Sequence, residues 1–163
     1  MADPTWRATA PSPLGPLLLV ASARGLRGLS LLGPDGDPAP HGLENPAFAE
    51  PLRQLAQYFR GARTAFDLPL DPLGTPFQRQ VWASLRAIPF GSTQSYSQQA
   101  AALGRPSAAR ALASACSRNP LAIVLPCHRV VAAHGALAGY RWGLAAKSWL
   151  LAHEARGAPK ASS

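Results

Sequence analysis

Residues 95–113 read SYSQQAAALGRPSAARALA, and this stretch decides the fold of the second half of the chain. Ser95 is suited to cap a helix, and Gln98 follows three residues later, as a capping box requires. Gly104 is a natural stop for this first short helix, and Pro106 is suited to open a second one. Helix, glycine turn and helix in this order predict a helix-turn-helix, although many helical hairpins of this kind bind nothing.

The second predicted helix is small and basic. Ala108 and Ala109 precede Arg110, so this helix can approach DNA closely but offers few long polar side chains to the base edges. The pattern predicts weak sequence preference, with Arg110 reserved for a specific task such as filling a gap in the base stack. A phosphate contact or a solvated arginine is the alternative interpretation of Arg110.

Another capped helix precedes this motif. Thr75-Pro76-Phe77-Gln78 combines a capping hydroxyl, a proline at the first helical position and a glutamine three residues after the cap. The segment 67–74 just before it contains two prolines and ends in glycine, which is typical of a linker. We therefore predict two domains, residues 1–72 and residues 73–163.

The first domain is predicted to be a small mixed α/β unit. Two apolar strands, 17–22 and 26–32, flank a turn at Gly25 and predict a β-hairpin. A helix follows and ends at Gly61. The side chains predicted on its buried face are Leu52, Leu55, Ala56 and Phe59.

Charge is divided unevenly between the two halves. Residues 1–71 carry six arginines and seven carboxylates, whereas residues 72–153 carry seven arginines, one lysine and no carboxylate. The whole chain has a net charge of +8. A long basic stretch without counter-charge attracts polyanions, and nucleic acid is the first candidate. A surface that is merely rich in arginine is the alternative.

The pentapeptide Pro126-Cys127-His128-Arg129-Val130 places a thiol beside an imidazole. The apolar run 121–125 before it predicts a buried strand that holds the thiol in place. A free thiol has a pKa of roughly 8.5, so a neighbouring base is needed to make it a nucleophile at neutral pH. The alternative, preferred for an isolated cysteine, is a buried side chain that only packs.

Cysteine usage and hydropathy exclude several other classes. Cys116 and Cys127 are too few for the disulfide framework of a secreted protein. The N-terminus lacks the basic start and apolar stretch of a signal peptide, and no apolar run approaches the length of a membrane span. We expect a cytoplasmic protein that does not enter membranes.

Taken together, these motifs closely resemble the O6-alkylguanine-DNA alkyltransferase family in its bacterial form. The resemblance is carried by SPLGP (12–16), GTPFQ (74–78), NP (119–120), PCHRV (126–130), GYRWG (139–143) and LLAHE (150–154). It implies an α/β fold with a small ribonuclease-H-like N-terminal domain and a helical, winged-helix-like C-terminal domain. It also implies that the partner is double-stranded DNA containing alkylated guanine, bound through the minor groove.

The resemblance assigns the chemistry to a few side chains. Cys127 takes the alkyl group, His128 accepts the thiol proton through a bridging water, and Glu154 stabilises the imidazolium. Tyr96 protonates the departing guanine. The alternative for Tyr96 is an ordinary buried tyrosine, and the alternative for Glu154 is a plain surface salt bridge. Asn119 braces the turn near Cys127. The other residues implied are Lys147 near the thiol, the guanine pocket of Tyr96, Cys127, Val130, Tyr140, Arg141 and Trp142, and the DNA contacts Arg110, Ser97, Arg105, Ala108 and Ala109.

The same resemblance implies a reaction without turnover. The product is a thioether, so Cys127 is not regenerated, each molecule acts once, and no cofactor is needed. No metal site is expected, because the zinc ligands of some relatives have no counterparts before His41. We expect a monomer, with clustering on DNA left open. Trp142 is expected to crowd the pocket and to disfavour benzyl-sized groups relative to methyl.

Other functions remain open from the residues alone. A lesion-binding protein on the same scaffold would bind without reaction, but Cys127 argues against it. A helix-turn-helix transcription regulator would need sequence readout, which Ala108 and Ala109 make difficult, and a cysteine hydrolase would show multiple turnovers. A zinc site would have to use Cys116, Cys127, His128 and His134, which lack the paired spacing of such sites.

Overall fold

The computed structural model describes residues 4–33 and 40–157, which form two compact units. The first unit contains the described residues up to Leu73 together with Pro120–Val124, and the second contains Gly74–Asn119 and the described residues from Leu125 onward. This division lies one residue after the boundary set from the sequence, and it adds 120–124 to the first unit. Within the described ranges, no helix combines the length and apolarity needed to cross a bilayer.

The first unit is built on a three-stranded antiparallel sheet in the order β1-β2-β3. Its strands are Thr5–Ala10 (β1), Leu17–Ser22 (β2) and Gly25–Leu31 (β3). Leu19 in the central strand lies opposite Ala8 on one side and Leu29 on the other, and all three side chains are fully buried. Because side chains alternate between the two faces of a strand, this register turns one apolar face of the sheet into the core.

The predicted hairpin is confirmed, with β3 beginning one residue earlier than expected. Gly25 has a φ of 153°, and a Cβ there would lie 2.4 Å from the carbonyl oxygen of Pro69. The turn therefore needs glycine, because any side chain would collide with backbone. Strand β1 was not predicted, since its outer half, Thr5–Arg7, is exposed and its buried residues, Ala8, Thr9 and Ala10, are small.

Helix α1, Ala49–Phe59, follows a short 3-10 turn that the side chain of Asn45 caps. Its predicted inner face was partly wrong. Leu55 is buried as expected, but Ala56 is exposed and Leu52 and Phe59 are only partly covered. The buried positions are Pro51, Gln54, Leu55 and Tyr58. The helix is rotated because Tyr58 is fully buried in the core and both ends of the Gln54 amide hydrogen-bond the backbone of Asp67.

The described part of the second unit contains four α-helices and a two-stranded parallel ladder. The helices are Pro76–Leu85 (α2), Tyr96–Ala102 (α3), Ala109–Ser117 (α4) and Leu144–Gly157 (α5), and the strands are Gln94–Ser95 (β4) and Val130–Val131 (β5). Both predicted capping boxes are present: Thr75 and Gln78 close the start of α2, and Ser95 and Gln98 close the start of α3. Each box satisfies two backbone N–H groups that a helix start leaves without partners.

The predicted helix-turn-helix consists of α3 and α4, which pack on each other. Gly104 lies between them with a φ of 75°, a conformation that favours glycine. Helix α4 begins at Ala109, later than the predicted start near Pro106, because Ala108 is its N-cap. Helix α4 is fixed to α2 by a hydrogen bond from the buried indole of Trp82 in α2 to the carbonyl of Ala115 in α4, at 2.8 Å.

The apolar run before the pentapeptide is buried as predicted, but the expected strand was wrong. Among the residues that the structure describes, Leu121 alone of this run makes a ladder contact, an isolated bridge to Leu29 of β3. The chain then turns, with Ile123 at a φ of 71° and the Val124 N–H donating to the carbonyl of Ala122 at 2.7 Å. Apolar runs of this length do not distinguish a strand from a buried turn by hydropathy alone.

Candidate active site

Cys127 opens a single 3-10 turn, Cys127–Arg129, that buries a thiol, an imidazole and a guanidinium in succession. Pro126 is the N-cap of this turn, and its carbonyl accepts the Arg129 N–H at 3.0 Å. Val130 then enters β5 opposite Gln94 of β4. The turn is thus held by its cap at one end and by a strand ladder at the other, and the position of the thiol is defined by backbone.

The thiol lies on the wall of a cavity of about 450 Å³. This volume is within the usual range for small-molecule sites, roughly 300–1,000 Å³. The residues that line it are Tyr96, Ala113, Cys116, Ser117, Cys127, Ala138, Gly139, Tyr140 and Arg141. Four predicted pocket residues are therefore present: Tyr96, Cys127, Tyr140 and Arg141.

Two predicted pocket residues are not among the described residues that line the cavity. Val130 is fully buried, and its carbonyl already accepts a hydrogen bond from Lys147 at 2.8 Å. The ring of Trp142 instead lies edge-on to that of Tyr140, with 5.4 Å between centroids. Trp142 therefore contacts two of the lining residues, Tyr140 and Arg141.

His128, Arg129 and Glu154 form a buried hydrogen-bonded cluster. The Glu154 Oε2 atom lies 2.7 Å from His128 Nε2, and Oε1 accepts from Arg129 Nε at 2.7 Å. A second bond from Arg129 Nη2 reaches Oε2 at 3.0 Å, and Nη1 donates to the carbonyl of Ile88 at 2.8 Å. His128 Nδ1 is buried and has no hydrogen-bond partner among the described residues. One ring nitrogen is thus held by a carboxylate while the other stays open.

The surroundings set the protonation states of this cluster. Burial raises the pKa of the Cys127 thiol well above its ordinary value, and the neighbouring Cys116 thiol raises it further. Burial also lowers the pKa of His128, in spite of Glu154. Burial opposes the ionisation of Glu154, but hydrogen bonds from His128 and Arg129 outweigh it and hold the pKa of this carboxyl far below its usual range. At neutral pH the thiol is therefore protonated, the imidazole is neutral and the carboxylate is charged.

Lys147 fastens the loop that carries much of the cavity wall. Its side chain is fully buried, and Nζ donates to the carbonyls of Val130, Ala138 and Gly139 at 2.8, 2.7 and 3.2 Å. Burial lowers the pKa of Lys147, while the two thiols, Cys116 and Cys127, act in the opposite direction. Lys147 thus joins the start of β5 to the loop and adds positive charge beside the thiols.

Asn119, to which the resemblance gives the role of bracing the turn near Cys127, lies between the end of α4 and that turn. The Nδ2 atom of Asn119 donates to the carbonyl of Leu125 at 2.8 Å, and the main-chain carbonyl of Asn119 accepts from Arg141 Nη1 at 2.6 Å. The Arg141 guanidinium also lies over the ring of Trp142, 5.3 Å from its centroid. This chain of contacts connects the end of α4, the thiol turn and the loop at 140–142.

The residues predicted to contact DNA lie on the helix-turn-helix. Ser97 is exposed on α3 and Arg110 is exposed on α4, while Ala108 and Ala109 are half-buried at the start of α4. Arg105, in the turn between the helices, is exposed and lies over the ring of Phe77 at 5.5 Å. Tyr96 is different, because it points into the cavity from the first position of α3, and burial raises the pKa of its hydroxyl.

Two residues of the site received no role from the sequence. Arg129 belongs to the pentapeptide, and the signal that could have identified it is that Glu154 is the only carboxylate after Asp71 and must neutralise some buried cation. Cys116 lines the cavity beside Cys127; the family resemblance placed it near the pocket but gave it no role beyond packing. Within the described ranges, no three His, Cys, Asp or Glu side chains are grouped as metal ligands would be.

A helix-turn-helix unit with a buried cysteine beside an open imidazole nitrogen defines a DNA-binding protein with a cysteine nucleophile. Comparison with known families agrees. Residues 6–72 match the ribonuclease-like domain of 6-O-methylguanine DNA methyltransferase, and residues 76–156 match the DNA-binding domain of the same protein. The chain belongs to the 6-O-methylguanine DNA methyltransferase family.

Individual relatives give the same result. The methylated-DNA–protein-cysteine methyltransferase of Mycobacterium leprae is 47% identical over 142 residues, covering 86% of each chain. The bifunctional transcriptional activator and DNA repair enzyme Ada of Escherichia coli is 44% identical over 162 residues, covering 91% of this chain and 45% of Ada.

Solved structures also match along nearly the whole chain. The O6-methylguanine methyltransferase of Mycobacterium tuberculosis has a TM-score of 0.84 at 40% identity and covers 97% of both chains. A structure of the same mycobacterial protein in complex with DNA has a TM-score of 0.81 at 42% identity, covering 93% of this chain and 94% of that one. The resemblance found from the motifs and the predicted fold class are both confirmed, and the activity is methyl transfer from methylated DNA to a protein cysteine.

Proposed function

We propose that this protein repairs O6-alkylguanine in duplex DNA, chiefly O6-methylguanine, by moving the alkyl group irreversibly onto Cys127. O4-methylthymine is a second substrate to test. The observation that carries the proposal is the arrangement at the cavity wall: Cys127 faces the cavity, and next to it His128 has one nitrogen on Glu154 and the other open.

The first step is activation of the thiol. With its Nε2–H donated to Glu154, the neutral imidazole presents the lone pair of Nδ1 as a base. A water molecule between Cys127 and Nδ1 would carry the proton across, and Glu154 would stabilise the imidazolium that results. The positive charge of Lys147 favours the thiolate, because it lowers the pKa of Cys127 against the effect of burial.

The second step is displacement at carbon. The Cys127 thiolate attacks the alkyl carbon on the guanine oxygen, the carbon–oxygen bond breaks, and its electron pair stays with guanine. Tyr96 lines the same cavity, and its hydroxyl would donate a proton or a hydrogen bond to the ring as this charge develops. The product is a thioether, which no group in the site can hydrolyse, so each molecule would act once.

Guanine can reach the cavity only if the nucleotide leaves the base stack. Unstacking costs a few kcal/mol, and less for a damaged base that pairs poorly. Arg110 is exposed on α4, behind the small residues Ala108 and Ala109, so its side chain is suited to fill the gap after close approach through the minor groove. Ser97 and Arg105 lie on the same helix-turn-helix and would contact the backbone.

The partner in this scheme is the duplex alone. No cofactor enters either step, and a monomer contains every group that the chemistry uses. Because the substrate is chromosomal DNA and the acceptor must be a reduced thiol, we place the reaction in the bacterial cytoplasm.

The decisive experiment uses equimolar protein and a duplex that carries one O6-methylguanine with a labelled methyl group. We expect one label per protein molecule, on the peptide that contains Cys127, and no further release with time. The Cys127→Ser variant should bind the duplex but take up no label. Label on another residue, repeated turnover, or tight binding with the methyl group still on DNA would each contradict the proposal.

A further inference from the structure

Cys116 is a buried thiol for which the proposed transfer has no use. It lies in the last turn of α4, is 7% exposed, and lines the same cavity as Cys127, which is 4% exposed. Both cysteines are free. A second thiol beside a nucleophilic one changes the chemistry available to the first, because two neighbouring thiols can be oxidised together.

Backbone and side-chain contacts hold the two cysteines close to each other. The Asn119 N–H donates to the carbonyl of Cys116 at 3.2 Å, which fixes the end of α4. The Asn119 side chain donates to the carbonyl of Leu125 at 2.8 Å, two residues before Cys127. Asn119 therefore closes a loop at whose two ends the cysteines lie.

The electrostatics agree with the placement of both thiols on one cavity wall. Hydrogen bonding and charge from Cys116 both act on the Cys127 thiol, and they are the largest influences on it after burial. The positive charge of Lys147 interacts with both sulfur atoms. Tyr96 is influenced by both as well. Cys116, Cys127 and Tyr96 all line one cavity, through which a small polar reagent can reach the sulfur atoms.

We propose that Cys116 and Cys127 form a reversible disulfide when the protein meets a hydroperoxide, so that Cys116 protects the acceptor thiol from irreversible oxidation. Formation of this disulfide does not depend on the alkyl transfer, whereas its consequence for repair rests on the proposed function.

The reaction balances with hydrogen peroxide as the oxidant. The Cys127 sulfur attacks one peroxide oxygen, the O–O bond breaks, and the other oxygen leaves as water with the thiol proton, giving a sulfenic acid. The Cys116 sulfur then attacks the Cys127 sulfur, the S–O bond breaks, and hydroxide leaves as a second water with the Cys116 proton. The two thiols lose two electrons, and the peroxide gains them.

The benefit lies in what the disulfide prevents. A sulfenic acid without a neighbouring thiol goes on to sulfinic and sulfonic acids, which thiol reductants do not reverse. An oxidised acceptor would then be lost as completely as an alkylated one. Since the protein has a single acceptor thiol, the disulfide with Cys116 preserves Cys127 for repair.

The sequence allows a direct test by peptide mapping. Arg118 lies between the two cysteines, so trypsin places Cys116 in residues 111–118 and Cys127 in residues 119–129, and only a disulfide joins these peptides. The full-length protein is treated with excess hydrogen peroxide, its remaining thiols are blocked, and it is digested without reduction. We expect to find the joined peptides by mass spectrometry and a several-fold loss of transfer from a methylated duplex. Dithiothreitol should separate the peptides and restore the transfer.

Cys116→Ser is the matched variant, with each protein compared with its own untreated sample. Its Cys127 peptide should carry sulfinic or sulfonic acid, and dithiothreitol should not restore its transfer. The proposal is overturned if wild-type protein shows no joined peptides and carries the same acids as the variant, or if the variant recovers as fully as wild type. Failure of transfer in untreated protein would contradict the proposed function and not the disulfide, because the joined peptides are detected by mass spectrometry without any transfer assay.

Discussion

The carboxylate of Glu154 holds the ring of His128 from one side, with 2.7 Å between Oε2 and Nε2 and neither residue more than 1% exposed. A carboxylate accepts hydrogen bonds only, so the proton of the neutral imidazole must lie on Nε2. The Nδ1 atom is then the acceptor, and this is the nitrogen without a partner among the described residues. The pairing therefore selects the tautomer that can act as a base.

Glu154→Gln should destabilise the fold and slow the transfer. The variant leaves the buried Arg129 without its counter-charge, and breaking a buried pair in this way costs about 3–5 kcal/mol. Urea unfolding measures the loss. Glu50→Gln is the control, because the Glu50–Arg53 pair is exposed and should matter much less.

The same carboxylate predicts how stability depends on pH. The pKa of Glu154 is lower in the folded protein than in the unfolded chain, so its contribution is complete above the unfolded pKa, about 4.3, and is lost as pH falls towards the folded value. Wild-type protein should lose stability below that pH more steeply than Glu154→Gln. Parallel curves of unfolding free energy against pH would contradict this expectation.

His128→Ala should change the pH profile of transfer as well as its rate. Because burial lowers the pKa of His128, the acid limb of wild-type protein should lie below the ordinary histidine pKa of about 6.5. Without this base, the rate must follow ionisation of Cys127, whose pKa is raised well above its ordinary value, so the variant should gain rate steadily with pH. Single-turnover rates between roughly pH 5 and 10 measure this. His153→Ala, on the stacked Trp149–His153 pair, is the control and should retain the wild-type profile.

The local signals in the sequence predicted the helices α2, α3 and α4 of the second unit, but not the strands β4 and β5. Thr75 with Gln78 and Ser95 with Gln98 form capping boxes because each needs only residues within one turn of a helix. The glycine at position 104 likewise acts locally, through its positive φ. The adjacent thiol and imidazole of the pentapeptide required no fold to be recognised.

Contacts between distant segments could not be predicted in the same way. The run 121–125 has the hydropathy of a strand, but the bridge to Leu29 and the positive φ of Ile123 are decided by tertiary packing. Helix α1 was rotated from its predicted face for a similar reason, since Gln54 finds polar partners at Asp67. The bond of Arg129 to Glu154 and the proximity of the two thiols also depend on the folded chain.

Lys147→Met should loosen the cavity wall. The substitution removes hydrogen bonds to three carbonyls, those of Val130, Ala138 and Gly139. The Val130 carbonyl is buried, and leaving such an acceptor without a partner costs about 1–3 kcal/mol. We expect lower stability to urea and slower transfer, because the loop that carries Tyr140 is no longer fastened. Lys147→Arg retains the charge but not the compact head group. Its stability and its rate of transfer should lie between those of wild-type protein and of Lys147→Met. Unchanged stability in Lys147→Met would mean that water satisfies the carbonyls.

Arg110→Ala tests the proposed gap-filling side chain, and Arg118→Ala is its matched control, because both arginines are exposed and belong to α4 or its cap. Holding a nucleotide out of the stack is worth a few kcal/mol, so Arg110→Ala should slow transfer from a duplex by about tenfold or more. Transfer from a single-stranded oligonucleotide needs no such help and should change little. Arg118→Ala should weaken binding to both substrates slightly, and lower salt should restore it. If lower salt restored transfer by Arg110→Ala as completely as it restores binding by Arg118→Ala, Arg110 would be a phosphate contact and would not occupy the space of the departed base.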